Sequence, residues 1–386
     1  MKVLFVSPSF YPARHYGGPT AINYSFCNTL ATNDDVELKV LATDADGPGK
    51  RIDFKRDQTQ TGYPIKYCRV MFPPDIAPML LLRLPGAIQW ADIVHLNSVY
   101  SFTTLPALVL CRLLNKPLVW STMGALQRWD GSTRSRVKRL WEWACNQLAR
   151  PARVALHVTS EQEKLESEEK IPNADAIVLK NGIDLPSVSY EKEHGTRLSL
   201  LYIGRLHPIK GIDNLLKALA LVATPVELSI CGFGPTAYEE DLQSLVHQLK
   251  LAERVTFHGR VDGESKEQHF RRAHVCVAPS HKEAFCTVVL ESLARGVPVI
   301  ASTGTPWRAV EDVGCGLCVD NSPAELARAI DEIATMPLAD MGARGRRWMA
   351  DEFSWQKVTD EMLAHYRGFL QNEPRPRKQT IEAASS

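Results

Sequence analysis

Short apolar runs with almost no alternation recur along this chain, each followed by a stretch with helical spacing, and the series occurs twice. Val3–Ser7 leads through a Gly/Pro loop into Pro19–Thr32, where Ile22, Phe26 and Leu30 fall at i, i+4 and i+8. Val36–Ala42, Ile93–Leu96 and Leu118–Ser121 continue the pattern. A strand that is apolar on successive residues is covered on both faces, which requires a parallel sheet with helices on either side. The pattern restarts with Leu198–Ile203, a helix over Gly211–Val222, and a strand at Val226–Cys231. Tyr238–Leu249 reads as a helix and Val255–Phe257 and Val275–Ala278 as strands, followed by a helix from about Thr287 to Arg295 and a strand at Val297–Ala301.

The fold class is therefore α/β, with two Rossmann-like doubly wound domains facing a central cleft. Ligands of such sheets bind at the carboxyl ends of the strands. The chain of 386 residues has room for both units. Leu185–Gly195, with Pro, Ser, Gly and charges, separates them. The expected division is 1–185, 196–355, a helix at 356–371 that returns toward the first domain, and a disordered tail at 372–386. Trp355, Val358, Met362 and Tyr366 place that last helix within a helical stretch over Ala350–Leu370.

Charge excludes one class of partner. Lys and Arg number 45 against 44 Asp and Glu, so bulk positive charge does not draw this chain to nucleic acid. The first 180 residues carry 22 basic against 17 acidic side chains, an excess of 5 that suits an anionic ligand or surface as well as it suits scatter. Nine scattered cysteines read as reduced thiols of a cytoplasmic protein. Cys315 and Cys318 have metal-ligand spacing but no second pair, so the expectation is no metal. The opening run Val3–Val6 is too short for a signal peptide or a membrane span.

Three segments carry chemistry. In Glu283-Ala-Phe-Cys-Thr-Val-Val-Leu-Glu291, helical apolar spacing from Thr287 places the free N–H groups of Cys286, Thr287 and Val288 at a helix N-terminus, a ready anion site. Glu283 sits beside that nest, and Glu291 lies about one turn into the helix, facing a ligand or a core neighbour. Gly204-Arg205-Leu206-His207-Pro208-Ile209-Lys210-Gly211 follows a strand directly, and a guanidinium fork with a lysine point charge suits a diphosphate. Tyr16-Gly17-Gly18-Pro19-Thr20 lets backbone approach a phosphate ahead of another helix N-terminus. None of these is G-x-G-x-x-G, a P-loop, a zincin motif or a nucleophile elbow, so dehydrogenase, NTPase, protease and hydrolase readings lack support.

In this order the three segments resemble the retaining glycosyltransferases of family 4, which have the GT-B fold. The resemblance covers about residues 1–370, and Thr305-Pro306-Trp307 through Phe353-Ser354-Trp355 looks like members that build bacterial polysaccharides and O-antigens. It implies that Arg205 and Lys210 hold the donor's diphosphate, that Glu283 faces the transferred sugar, and that Glu291 accepts from ribose hydroxyls. It also implies that the amides of Phe285, Cys286 and Thr287 contact sugar and phosphate, and that Gly17 and Gly18 close over the diphosphate from the other domain. Such a transferase takes a nucleotide-diphosphate-sugar as substrate and needs no cofactor and no metal.

Two departures from the family pattern stand out. Met123 occupies the place where many relatives carry a sugar-contacting His, and Ala284-Phe285-Cys286 replaces the more usual Gly-Phe-Gly. His95, at a strand end, is either a sugar or acceptor contact or a satisfied core histidine.

Between Arg128 and Arg153 seven basic residues face two acidic ones, with Trp129, Trp141 and Trp143 interleaved. Arg136, Arg139 and Trp143 share a helix flank that suits an anionic membrane surface, with Met79–Leu84 assisting, or that is simply a basic helix packed by its tryptophans. The expected protein is a cytoplasmic transferase, peripheral on the inner face of the plasma membrane. Its acceptor is a saccharide or a polyprenyl-diphosphate-linked sugar. The alternatives are a soluble-acceptor transferase of the sucrose-phosphate or glycogen-synthase kind and a catalytically silent nucleotide-sugar-binding protein.

Overall fold

The computed structural model describes residues 1–13, 15, 17–54, 61–73, 75–128, 135–149, 153–186 and 197–371. Tyr16, Trp129, Asp130, Arg134, Arg150, most of the expected linker and the tail after residue 371 lie outside the described residues.

The first sheet comprises β1 (Lys2–Ser7), β2 (Glu37–Thr43), β3 (Ile65–Cys68), β4 (Ile93–Asn97), β5 (Leu118–Ser121), β6 (Val154–Val158) and β7 (Asp175–Val178). Its helices are α1 (Gly18–Leu30), α2 (Pro78–Trp90), α3 (Thr104–Leu113), α4 (Ser135–Ala149) and α5 (Glu161–Lys170). The second sheet comprises β8 (Leu198–Ile203), β9 (Val226–Cys231), β10 (Val255–Gly259), β11 (Val275–Ala278), β12 (Val299–Ser302) and β13 (Gly316–Val319). With it run α6 (Ile212–Leu219), α7 (Thr236–Gln248), α8 (Gly263–Arg272), α9 (Thr287–Ala294), α10 (Ala309–Val313), α11 (Pro323–Ile333) and α12 (Leu338–Glu352), and α13 (Trp355–Gln371) ends the described chain.

Every ladder is parallel, and the strand orders are β3-β2-β1-β4-β5-β6-β7 and β10-β9-β8-β11-β12-β13. These are two doubly wound α/β domains. Their strand order reverses between β1 and β4 and again between β8 and β11, and a reversal opens a crevice because the flanking connections leave toward opposite faces. The loops after β1, β8 and β11 hold Gly17-Gly18, Arg205 with Lys210, and Glu283. All three chemical segments therefore stand at switch points.

The buried strands need covers on both sides. Leu4, Val6, Val94 and Leu96 pack under α2, α3 and α4, whereas Val3, Phe5 and Val40 pack under α1 and α13. The helix α13 thus belongs to the core of the first domain although it follows the second in sequence: Trp355, Val358, Met362, Leu363 and Tyr366 are all buried there. The continuous helix expected over Ala350–Leu370 is interrupted at Phe353-Ser354. Phe353 turns into the second domain's core against Trp307, and Ser354 bridges to Ile183, whose N–H donates to the Phe353 carbonyl at 2.8 Å. Two chain crossings run side by side at this point, which fixes one domain against the other.

A Cβ on Gly182 would meet the Trp355 ring at 2.5 Å. Gly182→Ala is expected to lower unfolding stability by about 1–3 kcal/mol through overpacking. Gly86→Ala in α2, which meets nothing within 4 Å, should leave stability unchanged or raise it by about 0.5–1 kcal/mol. Urea unfolding of the two variants checks this, and equal effects would contradict the packing assignment.

Candidate active site

The second domain supplies the cations. After β8 the chain turns at Gly204, and the buried Tyr202 hydroxyl donates to the Arg205 carbonyl at 2.9 Å, which leaves the Arg205 side chain exposed. Leu206 and Phe233 pair through their backbones at 2.9 Å, and a Cβ on Gly232 or Gly234 would strike the carbonyls of Gly204 or Leu206 at 1.8 and 2.0 Å. The glycines in Cys231-Gly232-Phe233-Gly234 are thus explained by backbone meeting backbone. Lys210 ends a single 3-10 turn, Pro208–Lys210, and is followed by Gly211 at φ 64°, where a Cβ would lie 2.1 Å from the Pro279 carbonyl. Lys210 consequently faces the loop after β11, where its ammonium pairs with Glu283. Ser280 Oγ donates to the same carboxylate oxygen at 2.9 Å, and the two ion-paired side chains are only 18% and 15% exposed.

The helix α9 opens without a side-chain cap, from Cys286 in the left-handed region at φ 64°, ψ 69°. Among the described residues no group accepts from the backbone N–H groups of Phe285, Cys286 or Thr287. The Phe285 carbonyl points the other way and accepts from the Trp307 indole. Burial pushes the Cys286 thiol well above its ordinary pKa, so this sulfur is a neutral wall, not a nucleophile. Glu291, one turn along, receives the Lys266 ammonium from α8 at 2.6 Å on one of its two oxygens.

The first domain brings a matching end. Helix α1 also starts without a side-chain cap and without an acidic residue in its first turn. Gly17 precedes it at φ 64°, ψ −131°, a conformation open to glycine alone. A Cβ on Gly18 would stand 3.5 Å from Thr287 Oγ1, so the N-termini of α1 and α9 face each other across the cleft. Each end carries roughly half a positive charge.

Beside them Met123 and Gly124 lie in succession at φ 51° and 74°, and a Cβ on Gly124 would come within 2.7 Å of Ala284 Cβ. A small residue at 284 is what lets this loop approach. The loop is held from below by Glu163, a fully buried carboxylate that accepts from Thr122 Oγ1 and the Gly124 N–H at 2.6 Å each. Its other oxygen accepts from the Thr159 N–H at 2.8 Å, and the single Thr159 hydroxyl proton is shared between that oxygen at 2.8 Å and the Ala284 carbonyl at 3.3 Å. Lys282 adds a second cross-domain tie, with its ammonium 2.8 Å from Glu166 and donating to the Arg128 carbonyl at 2.9 Å.

The expected residues thus fall into two groups. Arg205, Lys210, Glu283, Phe285, Cys286, Thr287, Gly17, Gly18 and Met123 gather at the cleft, with Glu291 farther along α9. His95 stands apart from both: it is 2% exposed, with both ring nitrogens occupied inside the first domain, which matches the core-histidine alternative. Glu163, Lys266, Lys282 and Ser280 escaped sequence reasoning. Only Glu163 left a signal, the capping box Ser160-x-x-Glu163, in which Ser160 Oγ accepts from the Glu163 N–H at 3.2 Å. Cys315 is buried just before β13 and Cys318 lies within it, and no metal-holding group of three or more His, Cys, Asp or Glu occurs among the described residues.

Two family models match, "Glycosyltransferase Family 4" over residues 16–186 and "Glycosyl transferases group 1" over residues 190–348. The chain belongs to glycosyltransferase family 4. A D-inositol 3-phosphate glycosyltransferase of Geodermatophilus obscurus is 35% identical over 179 residues, which are 43% of this chain and 39% of that protein. The chain therefore spans about two fifths of the length of the first curated relatives it matches. A GDP-mannose:cellobiosyl-diphosphopolyprenol alpha-mannosyltransferase of Xanthomonas oryzae is 25% identical over 379 residues, 96% of this chain and 97% of that one. The crystal structure of Anabaena HepE in complex with UDP superposes with a TM-score of 0.72 at 18% identity, covering 95% of this chain and all of that one, and shares the GT-B fold.

His95 belongs to a chain of hydrogen bonds whose direction is fixed by its end. The Leu179 carbonyl can only accept, so His157 Nε2 donates to it at 3.1 Å. Ser121 Oγ must then donate to His157 Nδ1 and accept from His95 Nε2, each at 2.6 Å, and the Tyr366 hydroxyl of α13 donates to His95 Nδ1. Both imidazoles are neutral, and burial holds each below the ordinary histidine pKa. The unfolded chain takes up a proton on each below about pH 6.5, and the folded chain does not. Stability is therefore expected to fall as pH drops below about 6.5, by up to about 1.4 kcal/mol per pH unit for each histidine. Urea unfolding at stepped pH checks this, and a slope that survives His95→Asn/His157→Asn would place the proton uptake elsewhere.

Proposed function

We propose that this protein is a retaining, metal-independent glycosyltransferase that moves a hexose from a nucleotide-diphosphate-sugar to a saccharide acceptor carried on a polyprenyl diphosphate, in bacterial cell-surface polysaccharide synthesis. The observation that carries the reading is the pair of uncapped helix N-termini facing each other at Gly18 and Thr287, with Arg205 and Lys210 beside them. Positive ends brought together with no acidic side chain in either first turn favour an anion between them, and a diphosphate fits that demand.

The proposed roles are those that the family resemblance implies. Arg205 and the α9 amides stabilise charge on the diphosphate as the bond from the anomeric carbon to phosphate oxygen breaks. Lys210 is shared between that diphosphate and Glu283, so arrival of the anion draws the ammonium from the carboxylate and frees Glu283 to face the sugar. The acceptor hydroxyl attacks from the same face as the departing phosphate, which takes the hydroxyl's proton, and configuration at the anomeric carbon is retained. Glu291, steadied by Lys266, keeps one oxygen for ribose hydroxyls. The fixed cations and amides do the work a metal otherwise would.

The acceptor class draws on the Xanthomonas relative, whose name gives a diphosphopolyprenol acceptor. It is supported by the outer surface of α4, where Val137, Leu140 and Trp143 are 66%, 66% and 60% exposed between exposed Arg136 and Arg139. Leu82 of α2 and Leu113 of α3 are 74% and 75% exposed. Apolar side chains among arginines suit the boundary of an anionic bilayer on the cytoplasmic side. No described helix is long and apolar enough to cross a membrane.

Arg205→Ala is expected to weaken nucleoside diphosphate binding by about tenfold or more, the worth of a charge-assisted bond, and to leave nucleoside binding unchanged. Glu283→Gln should keep nucleotide affinity and slow transfer by about 10²-fold or more. Calorimetry and a donor-consumption assay with anomer analysis by NMR check both. Full turnover in Glu283→Gln, or an inverted product, would overturn the mechanism.

A further inference from the structure

Away from the donor cleft, the carboxyl ends of β2 and β3 lead to an open, solvent-exposed depression whose lining includes Arg51, Arg69, Val70 and Met71. Its frame is rigid. Asp44, just past β2, accepts from the Val70 N–H at 2.7 Å, and Ile52 donates its N–H back to the Asp44 carbonyl at 2.8 Å. Arg51 is carried on an antiparallel bridge to Ala45, and Met71 on the turn closed by the bridge between Phe72 and Ile76.

The cations are incompletely neutralised. Arg51 reaches Asp44 only at 3.9 Å, and no ion pair holds Arg69 among the described residues. The thiol of Cys68, next to Arg69, is raised by burial first, but Arg83 of α2 and Lys66 both pull it down, whereas Asp44 alone among charged groups opposes them. Exposed Arg51, Arg69 and Lys66 thus stand at this rim around the single carboxylate of Asp44. Next to it Met71 and Phe72 are 62% and 54% exposed, and Met79 and Leu82 of α2 continue the apolar surface at 47% and 74%.

The depression is joined to the donor cleft by an ordered wall. Tyr67 of β3 donates its hydroxyl to the Tyr11 carbonyl, and Tyr11 stacks on Tyr24 of α1 with ring centroids 4.2 Å apart. Asp46 accepts from the His15 N–H at 2.8 Å, two residues before Gly17.

We propose that Arg51 and Arg69 form a binding site for the diphosphate of a lipid-linked acceptor, with Met71 and Phe72 receiving the first part of its hydrocarbon chain. This rests on the transferase reading above and adds to it where the acceptor is held. Two guanidinium forks match a diphosphate bidentately, and the exposed Met71 and Phe72 that follow Arg69 in the chain offer apolar surface to a hydrocarbon.

The test is a titration of farnesyl diphosphate into protein already saturated with nucleoside diphosphate, so that the donor site is blocked. Nucleotide binding is read first, by itself, and its absence would count against the transferase reading separately. Wild type is expected to bind farnesyl diphosphate, and Arg51→Ala/Arg69→Ala to bind it more weakly by about tenfold or more per arginine. Both residues are exposed, so the fold should be unaffected, and nucleotide affinity in the double variant serves as the control. Inorganic pyrophosphate should bind more weakly than farnesyl diphosphate, and farnesol should show no dependence on the arginines. Equal farnesyl diphosphate affinity in the two proteins, or none in wild type, would overturn the site. Pyrophosphate binding as tightly as farnesyl diphosphate would overturn the lipid assignment and leave a site for free phosphate.

Discussion

Two helix N-termini that face each other, one from each domain, set the terms for the rest of this molecule. Neither has a side chain over its free N–H groups, and they come close at Gly18 and Thr287, where a Cβ on Gly18 would stand 3.5 Å from Thr287 Oγ1. Unfilled, such an arrangement costs free energy, because the two positive helix ends repel. The surrounding loops hold it in place. Gly17 and Cys286 both sit at positive φ, and Gly211 and Gly232 admit backbone where any side chain would collide.

The cost is carried by ties that lie around the cleft, not in it. Glu163 accepts four hydrogen bonds from the two loops of the first domain that touch Ala284, and Lys282 reaches back to Glu166. At the far side the crossing at Ile183 and Ser354 joins the domains a second time, and α13 ends in the core of the first domain, where Tyr366 starts the directed chain through His95, Ser121 and His157. A buried carboxylate with every bond satisfied is a stiff support, because moving any one partner leaves charge unpaired in low dielectric.

Much of this was legible in sequence. Unalternating apolar runs gave the parallel sheets, and the three loops that carry Gly17, Arg205 and Glu283 stood out because glycine, cations and acids follow strands directly. The partners of those residues were not legible. Lys266 meets Glu291 from another helix, and Lys282 meets Glu166 from another domain, at sequence distances that no spacing rule reports. At a strand end His95 was open to two roles, a cleft contact or a satisfied core histidine. Its ring is buried, and Tyr366, 271 positions away, completes its bonding. The break at Phe353-Ser354 was hidden because both halves keep helical spacing, and only the bridge to Ile183 requires the interruption.

The central claim, that the space between α1 and α9 is built for an anion at the expense of the empty protein, is tested most directly with Gly18→Asp. The site has room, since a Cβ there makes only an ordinary contact at 3.5 Å. A carboxylate in the first turn of α1 would satisfy the helix end internally, so the empty variant is predicted to be more stable than wild type by about 0.3–1 kcal/mol. Thermal unfolding with UDP or GDP at about 100 times the dissociation constant should then show the roughly 2.7 kcal/mol of ligand stabilisation in wild type and its loss in the variant. A variant that is less stable when empty, or that keeps the full nucleotide stabilisation, would contradict the account.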